Sequence, residues 1–190
     1  LIPAGTINNF ARYYQLPTQP EAAFDLILHQ AQVKKVGIAK CGPKQGVVSS
    51  LTFGNLADIG NEVRQKDKRR FGWLVYLAQA VKQIGKNKSY EIVYTIDHKT
   101  YTFKTWFALI TIKAAVGAVV YDKKSPGLMH LSLLNNIGFK QVFDYIYFAM
   151  TGRLRESKQI TTFQAHEITI RGLEDQKITT RIDGDKGPKL

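Results

Sequence analysis

The chain has 190 residues, of which 44% are hydrophobic and 11% aromatic. This composition predicts a folded domain and excludes an intrinsically disordered chain. With 27 Lys and Arg against 15 Asp and Glu, the net charge is +12. Such a surplus attracts polyanions, whether nucleic acid, an anionic lipid surface or nucleotide phosphates.

A cytoplasmic protein is favoured by the cysteine content and the hydropathy. The single cysteine, Cys41, excludes an intramolecular disulfide and fits a reducing compartment. The longest nearly apolar run, residues 106–121, is too short to span a bilayer, and there is no basic and apolar leader. We therefore expect a soluble protein.

The first half of the chain predicts short helices followed by strands. Apolar residues recur at helical spacing early, and the period changes to two from Val33. In chain order the predicted elements are helices over 6–15 and 20–30, a hairpin of strands over 33–38 and 47–56 about a turn at 42–46, and a helix over 71–84.

Strand patterns dominate the second half. The predicted elements are strands over 90–96 and 101–109 around a turn at 97–99, strands over 114–121 and 128–134, a helix over 139–150, and strands over 160–171 and 176–182. Seven or more strands with frequent turns predict a mainly β (α+β) fold. We expect a β-sandwich-like domain with a few packed helices.

The first twelve residues have the pattern of a phosphate site. Gly5 would let the backbone approach a ligand, and the Thr6 hydroxyl could donate to an anionic oxygen. Free N–H groups at the start of the helix that follows favour negative charge. An ordinary helix N-cap is the alternative for the same residues.

A cluster of basic residues precedes the predicted helix at 71–84: Arg64, Lys66, Lys68, Arg69 and Arg70. Such a run is either a solvated loop or a membrane-facing patch, in which each basic residue near an anionic leaflet contributes about 1 kcal/mol. Nucleic-acid binding is less favoured, because the aromatic residues alternate within strands and serve packing better than base stacking. The sequence shows no P-loop and no Cys/His cluster with metal spacing.

The order of short motifs along the chain resembles that of diacylglycerol-kinase-like lipid kinases. Residues 3–12, P-A-G-T-I-N-N-F-A-R, resemble the family's P-x-G-T-x-N-D-F-A-R segment, and residues 180–185, T-R-I-D-G-D, are similar to its D-G-E signature. The resemblance covers nearly the whole chain and implies the C-terminal part of a two-domain enzyme. Residues 1–30 would be a remnant of the nucleotide-binding half, and residues 31–190 the β-rich domain.

The resemblance also implies a reaction and its site. The parent protein would transfer the γ-phosphate of ATP, with Mg²⁺, to a lipid hydroxyl, with diacylglycerol as the expected acceptor. Gly5, Thr6 and Asn8 would contact the ATP phosphates, and Asp185 would act as the general base. We expect peripheral association with an anionic membrane and no nucleic-acid partner; oligomer formation stays open.

Three departures from the family pattern limit this expectation. The family's G-G-D-G-T nucleotide loop is absent, so we expect the chain alone to be inactive. Pro126 stands where the family has a magnesium-binding aspartate, which predicts no tightly bound Mg²⁺ near Gly127. The second residue of the family's N-D pair is Asn9 here, and its N-G…G-G-G segment is reduced to K-A-A-V-G at 113–117. In addition, Asp185 is one methylene shorter than the family's glutamate. A degenerate membrane-surface binding module is therefore the alternative function, and a basic nucleic-acid-binding domain is a third.

Overall fold

Strands predominate in the part of the chain that the structure, a computed structural model, describes. That part comprises residues 2–3, 8–29, 32–33, 35–57, 89–112, 114–116, 119–122, 127–135, 138, 140–141, 143–144, 147, 160–173 and 177–190. Its helices are α1 (Asn9–Tyr13) and α2 (Pro20–His29), and the described residues between 140 and 147 are also helical. The strands are β1 (Ala39–Cys41), β2 (Gln45–Val47), β3 (Ser50–Gly54), β4 (Tyr90–Ile96), β5 (Lys99–Thr105), β6 (Phe107–Thr111), β7 (Ala114–Val116), β8 (Val119–Asp122), β9 (Met129–Leu134), β10 (Ile160–Ala165), β11 (Ile168–Gly172), β12 (Thr179–Ile182) and β13 (Asp185–Lys189).

Two antiparallel sheets enclose the main core. The larger has the order β10-β9-β6-β3-β12-β13 and the smaller β11-β4-β5, while β1–β2 and β7–β8 form separate hairpins. Buried apolar side chains from both sheets belong to one cluster, in which Phe53 of the larger sheet stacks on Tyr94 of the smaller at 6.4 Å between ring centroids. The predicted sandwich-like, mainly β fold is confirmed.

Strand β4 shows how the alternating sequence forms this core. Ile92, Tyr94 and Ile96 are buried, as the period of two predicts. The Tyr94 hydroxyl lies 2.7 Å from the Thr105 hydroxyl, so its polar end has a partner. Burial raises the pKa of Tyr94 above its ordinary value, and the hydrogen bond to Thr105 opposes part of that rise. The phenol is therefore neutral at physiological pH.

Three of the predicted strands are wrong in extent because each is divided in two. The predicted strand over 101–109 breaks at the fully buried Trp106, where the chain passes from the smaller sheet (β5) to the larger (β6). The strand over 160–171 breaks at His166 and Glu167 and also changes sheet, and the strand over 114–121 is the hairpin β7–β8. Alternation continues through such breaks, so periodicity alone does not reveal them.

The predicted N-terminal elements are displaced. The first hairpin pairs β1 with β2 rather than 33–38 with 47–56, and β3 is a separate strand of the larger sheet. The chain leaves the ladder at Val48 and Ser49 because their N–H groups donate to a side chain instead. Helix α1 begins at Asn9, and Asn8 has a positive φ of 53°. The predicted helix over 71–84 lies outside the described residues.

Candidate functional site

A mostly apolar cavity of about 600 Å³, partly open to solvent, lies between the larger sheet, the β1–β2 hairpin and the edge strand β11 of the smaller sheet. This volume falls within the range of about 300–1,000 Å³ that small-molecule sites occupy. The wall combines residues of the β1–β2 hairpin, the larger sheet and β11, among them Val47, Leu51, Ile110, Met129, Ile168 and Ile170. The cavity is therefore suited to an apolar ligand group.

The Lys, His and Glu residues that line the cavity are solvent-exposed, and they form its rim. Lys40, His166 and Glu167 all line it and are exposed. Inside, the Thr180 hydroxyl already donates to the Pro188 carbonyl, so it leaves no free donor for a ligand. Cys41 also lines the cavity and is partly exposed. An apolar interior with a charged rim fits an amphiphile better than a wholly polar ligand.

An acidic turn joins β12 to β13 beside this cavity. Asp183 and Gly184 have φ of 52° and 98°, as a two-residue hairpin loop of type I′ requires. The Asp183 carboxylate accepts three backbone N–H groups: Val48 at 2.9 Å through Oδ2, and Ser49 and Ser50 at 2.7 and 2.8 Å through Oδ1. Both oxygens are therefore engaged in holding the backbone, so Asp183 is poorly placed to take a substrate proton.

Asp185, the predicted general base, lies on the other side of the same turn. It is the first residue of β13, pairs with Ile182 and is exposed. The far end of β13 contributes Pro188 and the following Leu190 to the cavity. No hydrogen bond or ion pair engages the Asp185 side chain among the residues that the structure describes. Strand β13 thus carries the exposed Asp185 at its start and lines the cavity near its other end.

The predicted phosphate-site residues are only partly placed. Gly5 and Thr6 lie outside the described residues, so their role stays a prediction. The Asn8 carbonyl accepts the Arg12 N–H at 3.0 Å at the start of α1, and no side-chain bond caps that helix. The predicted membrane patch also lies outside the described residues: Arg64, Lys66, Lys68, Arg69 and Arg70.

The expected lack of a tightly bound magnesium ion near Gly127 stays a prediction. Pro126 has no side-chain oxygen and lies outside the described residues, while Gly127 has a φ of 89° and lines the cavity. Within the described ranges, no three His, Cys, Asp or Glu side chains come together as a metal site. Magnesium prefers carboxylate oxygens in near-octahedral geometry.

Among the helices of the described residues, none has the length and apolar character needed to cross a membrane.

Two features of the site went unpredicted: the cavity and the long-range hydrogen bonds of the turn aspartate Asp97. Asp97 and His98 have φ of 42° and 71° in the turn between β4 and β5. The Asp97 carboxylate accepts the N–H groups of His166 and Glu167. An aspartate at the tip of a hairpin indicates a turn from sequence, but partners 69 and 70 positions away leave no local signal.

Over its full length the chain is similar to bacterial diacylglycerol kinases. It is 22% identical over 194 residues to the diacylglycerol kinase of Staphylococcus saprophyticus and 23% identical over 201 residues to that of Bacillus subtilis. Each comparison includes 100% of this chain but only 62% and 63% of the relative. The chain thus spans less than two thirds of these proteins. No model of a protein family matches it.

The fold agrees with these similarities. A crystal structure of a diacylglycerol kinase from Bacillus anthracis matches with a TM-score of 0.71 at 20% identity, and the match covers 100% of this chain and 62% of that one. The mostly β fold with few helices is that of the C-terminal domain of diacylglycerol kinase structures. The resemblance to the diacylglycerol-kinase-like lipid kinases is therefore confirmed, and this chain corresponds to the C-terminal part of its bacterial relatives.

Proposed function

We propose that this chain is the lipid-holding part of an ATP-dependent kinase that transfers the γ-phosphate of ATP to a lipid hydroxyl, with diacylglycerol as the acceptor. The apolar cavity of about 600 Å³ beside the acidic turn carries the proposal. The similarity to diacylglycerol kinases supports it. Because the chain spans under two thirds of those relatives, the activity is proposed for this chain joined to a nucleotide-binding half.

The cavity supplies the affinity for the lipid in this proposal. Transfer of an acyl chain from water to an apolar wall is favourable by about 0.8 kcal/mol per methylene. The wall residues Leu51, Ile110 and Ile170 provide such surface. The glycerol end would remain at the rim near Lys40 and His166, in contact with water and with the acidic turn. The acceptor hydroxyl would thus stay accessible to ATP.

Asp185 supplies the base. As the lipid hydroxyl oxygen bonds to the γ-phosphorus of ATP, the bond from that phosphorus to the β–γ bridging oxygen breaks, and ADP leaves. The hydroxyl proton passes to the Asp185 carboxylate, whose exposure leaves it free to approach a substrate. The phosphates would be held by Gly5, Thr6 and Asn8 together with the nucleotide-binding half. Mg²⁺ would enter with ATP as part of the substrate.

Helix α2 supports a domain division near residue 30. Ala23 is buried, but Phe24, Ile27 and Leu28 on the same helix are 52%, 43% and 74% exposed. Neighbouring exposed large apolar side chains usually mark a contact surface. We propose that the remainder of the nucleotide-binding half packs on this face, with residues 1–30 as its connection to the β-rich domain at 31–190.

Lipid in the cavity should shield Cys41 from thiol reagents. Cys41 lines the cavity and is the only cysteine, so its labelling rate reports occupancy. With 1,2-dioctanoylglycerol at ten times its Kd, we expect labelling to slow about tenfold by mass action. Ile170→Trp, which narrows the cavity, should weaken this shielding, whereas Ile170→Leu should preserve it. Equal labelling rates with and without lipid in the folded protein would contradict the proposal.

The 190-residue chain alone should transfer no phosphate. The groups proposed to hold ATP are incomplete without a nucleotide-binding half, so the γ-phosphate would not be positioned for attack. The measurement is transfer of labelled phosphate from ATP to dioctanoylglycerol, with the full-length Bacillus subtilis relative as positive control. Turnover by the isolated chain above a no-protein blank would show that the division of roles is wrong.

Membrane-surface binding is the second candidate function, and the net charge of +12 favours it. If Arg64, Lys66, Lys68, Arg69 and Arg70 form a docking patch, binding to vesicles should require anionic lipid and weaken as salt rises through about 0.15 M. Reversing Lys68, Arg69 and Arg70 to glutamate should then reduce binding sharply at an unchanged Tm. Equal binding to neutral vesicles, or an unaffected triple variant, would leave the cluster as a solvated loop.

A further inference from the structure

We infer that Asp183 and Asp97 are positioning residues that hold two walls of the cavity apart in the shape that binds lipid. The inference rests on the proposed lipid-binding role of the cavity. Each aspartate lies in a two-residue turn at positive φ, and each directs its carboxylate to backbone N–H groups of a distant segment. Asp183 belongs to the larger sheet and Asp97 to the smaller. The segment that Asp97 holds, 166–167, lines the cavity, and the segment that Asp183 holds, 48–50, connects two residues that line it.

Asp183 fixes the wall on the side of the larger sheet. Its carboxylate binds the N–H groups at 48, 49 and 50, and its own N–H donates to the Ser50 carbonyl at 2.8 Å. These three residues connect Val47 to Leu51, and both of those residues line the cavity. The spacing between two wall residues is therefore set by one carboxylate that is not itself part of the wall.

Asp97 fixes the wall on the side of the smaller sheet. Its Oδ1 accepts the N–H groups of His166 and Glu167 at 3.0 and 2.9 Å, and its own N–H donates to the Glu167 carbonyl at 3.2 Å. At this point the chain crosses from β10 to β11. His166, Glu167 and Ile168 line the cavity in succession. Like Asp183, Asp97 thus binds the backbone of a segment that connects two strands.

An apolar cavity of this size needs such support. The cavity is partly open to solvent, so flexible walls would bury their apolar lining atoms by closing inward, which is favourable. Hydrogen bonds to a carboxylate are short and about twice as strong as neutral ones, which suits them to resist this closure. A wall that is already ordered before the ligand binds loses less conformational entropy on binding.

Asp183 and Asp97 differ in which carboxylate oxygens accept the hydrogen bonds, and this difference makes the inference testable. Asp183 uses Oδ2 for Val48 alone, so Asp183→Asn places an amide NH₂ against a backbone N–H and loses that bond. Asp97 uses Oδ1 for both of its partners, and Oδ2 only duplicates the bond to His166 at 3.4 Å. Asp97→Asn can therefore keep both bonds through its remaining oxygen. Asparagine tolerates positive φ at either site.

The Kd of dioctanoylglycerol, measured by Cys41 shielding well below the Tm of each variant, tests the inference on the 190-residue chain. Asp183→Asn should raise Kd about tenfold or more, and Asp97→Asn less than about threefold, because a loosened wall must be reordered on binding. Asp97→Gly, which removes both acceptors but tolerates positive φ, should raise Kd about tenfold and is the second test if Asp183→Asn does not fold. Asp25→Asn on α2, the same chemical change away from the cavity, should leave Kd unchanged.

The outcomes separate positioning from general stability. A purely structural role would lower the Tm of Asp183→Asn and Asp97→Gly while leaving the Kd of the folded protein as it was, and that result would overturn the inference. Raised Kd values in the predicted order would support it. If the unchanged chain shows no lipid-dependent shielding, the proposed function fails, and this inference fails with it.

Discussion

Replacing Gly54 with alanine is expected to destabilise the fold by roughly 3 kcal/mol or more. Gly54 ends β3 at a φ of 91°, and a Cβ there would lie 2.5 Å from the Trp106 carbonyl oxygen and 3.0 Å from the Phe107 Cα. Both contacts are with backbone atoms, which cannot turn aside as a side chain could. Any shift would also disturb the bond from the Asn55 N–H to the same Trp106 carbonyl at 3.0 Å.

Urea unfolding of Gly54→Ala against Gly127→Ala measures this effect. Gly127 has a φ of 89°, but nothing lies within 4 Å of an added Cβ. Gly127→Ala therefore introduces the backbone strain without the steric clash, and it should lower the free energy of unfolding by about 1–2 kcal/mol. A Gly54→Ala variant no less stable than Gly127→Ala would show that the crossover at Trp106 can yield, and that this glycine is not required by close packing.

The sequence predicted the fold best where the signal is local. The hairpin of β4 and β5 has strict alternation on both strands and polar residues at its tip, and the structure confirms it. Helix α2 likewise agrees with the prediction over Pro20–His29. In both elements the apolar period and the flanking residues suffice, because the relevant contacts lie within a few positions of one another.

Prediction failed where the chain changes sheets. The strand breaks at Trp106 and at His166 depend on partners far along the chain, namely Asn55 and Asp97. The same is true of Val48, which leaves the ladder because its N–H meets a carboxylate 135 positions later. Such long-range hydrogen bonds leave no signal in the periodicity. The continuous alternation therefore predicts one strand where the structure has two.

The candidate site was predicted in part. An Asp-Gly pair after the predicted strand over 176–182 is typical of the turn found at 183–184, but β13, which begins at Asp185, is not among the predicted elements. The cavity was not predicted, because its wall residues come from separated elements and, in sequence, resemble ordinary core residues. Its volume depends on where the sheets fail to meet, which is a property of the assembled sandwich.

Asparagine at position 185 is expected to lower kcat by about 10²–10⁴-fold in a protein that joins this chain to a nucleotide-binding half, which is the usual contribution of a general base. ATP binding should hardly change, since the phosphates are assigned to Gly5, Thr6 and the other half. Asp185→Glu should keep or raise kcat, because the family's longer side chain reaches farther toward the hydroxyl. Steady-state kinetics with both substrates varied provides the measurement.

Asp183→Asn is the matched comparison, since it makes the same chemical change two residues away. Its carboxylate is committed to three backbone N–H groups, so this variant should lose stability and raise KM for the lipid while kcat is largely retained. Full turnover in Asp185→Asn, together with an inactive but folded Asp183→Asn, would reverse the two roles. The expected contrast arises because β13 exposes one carboxylate of this turn to solvent, whereas the hairpin geometry directs the other at the start of β3.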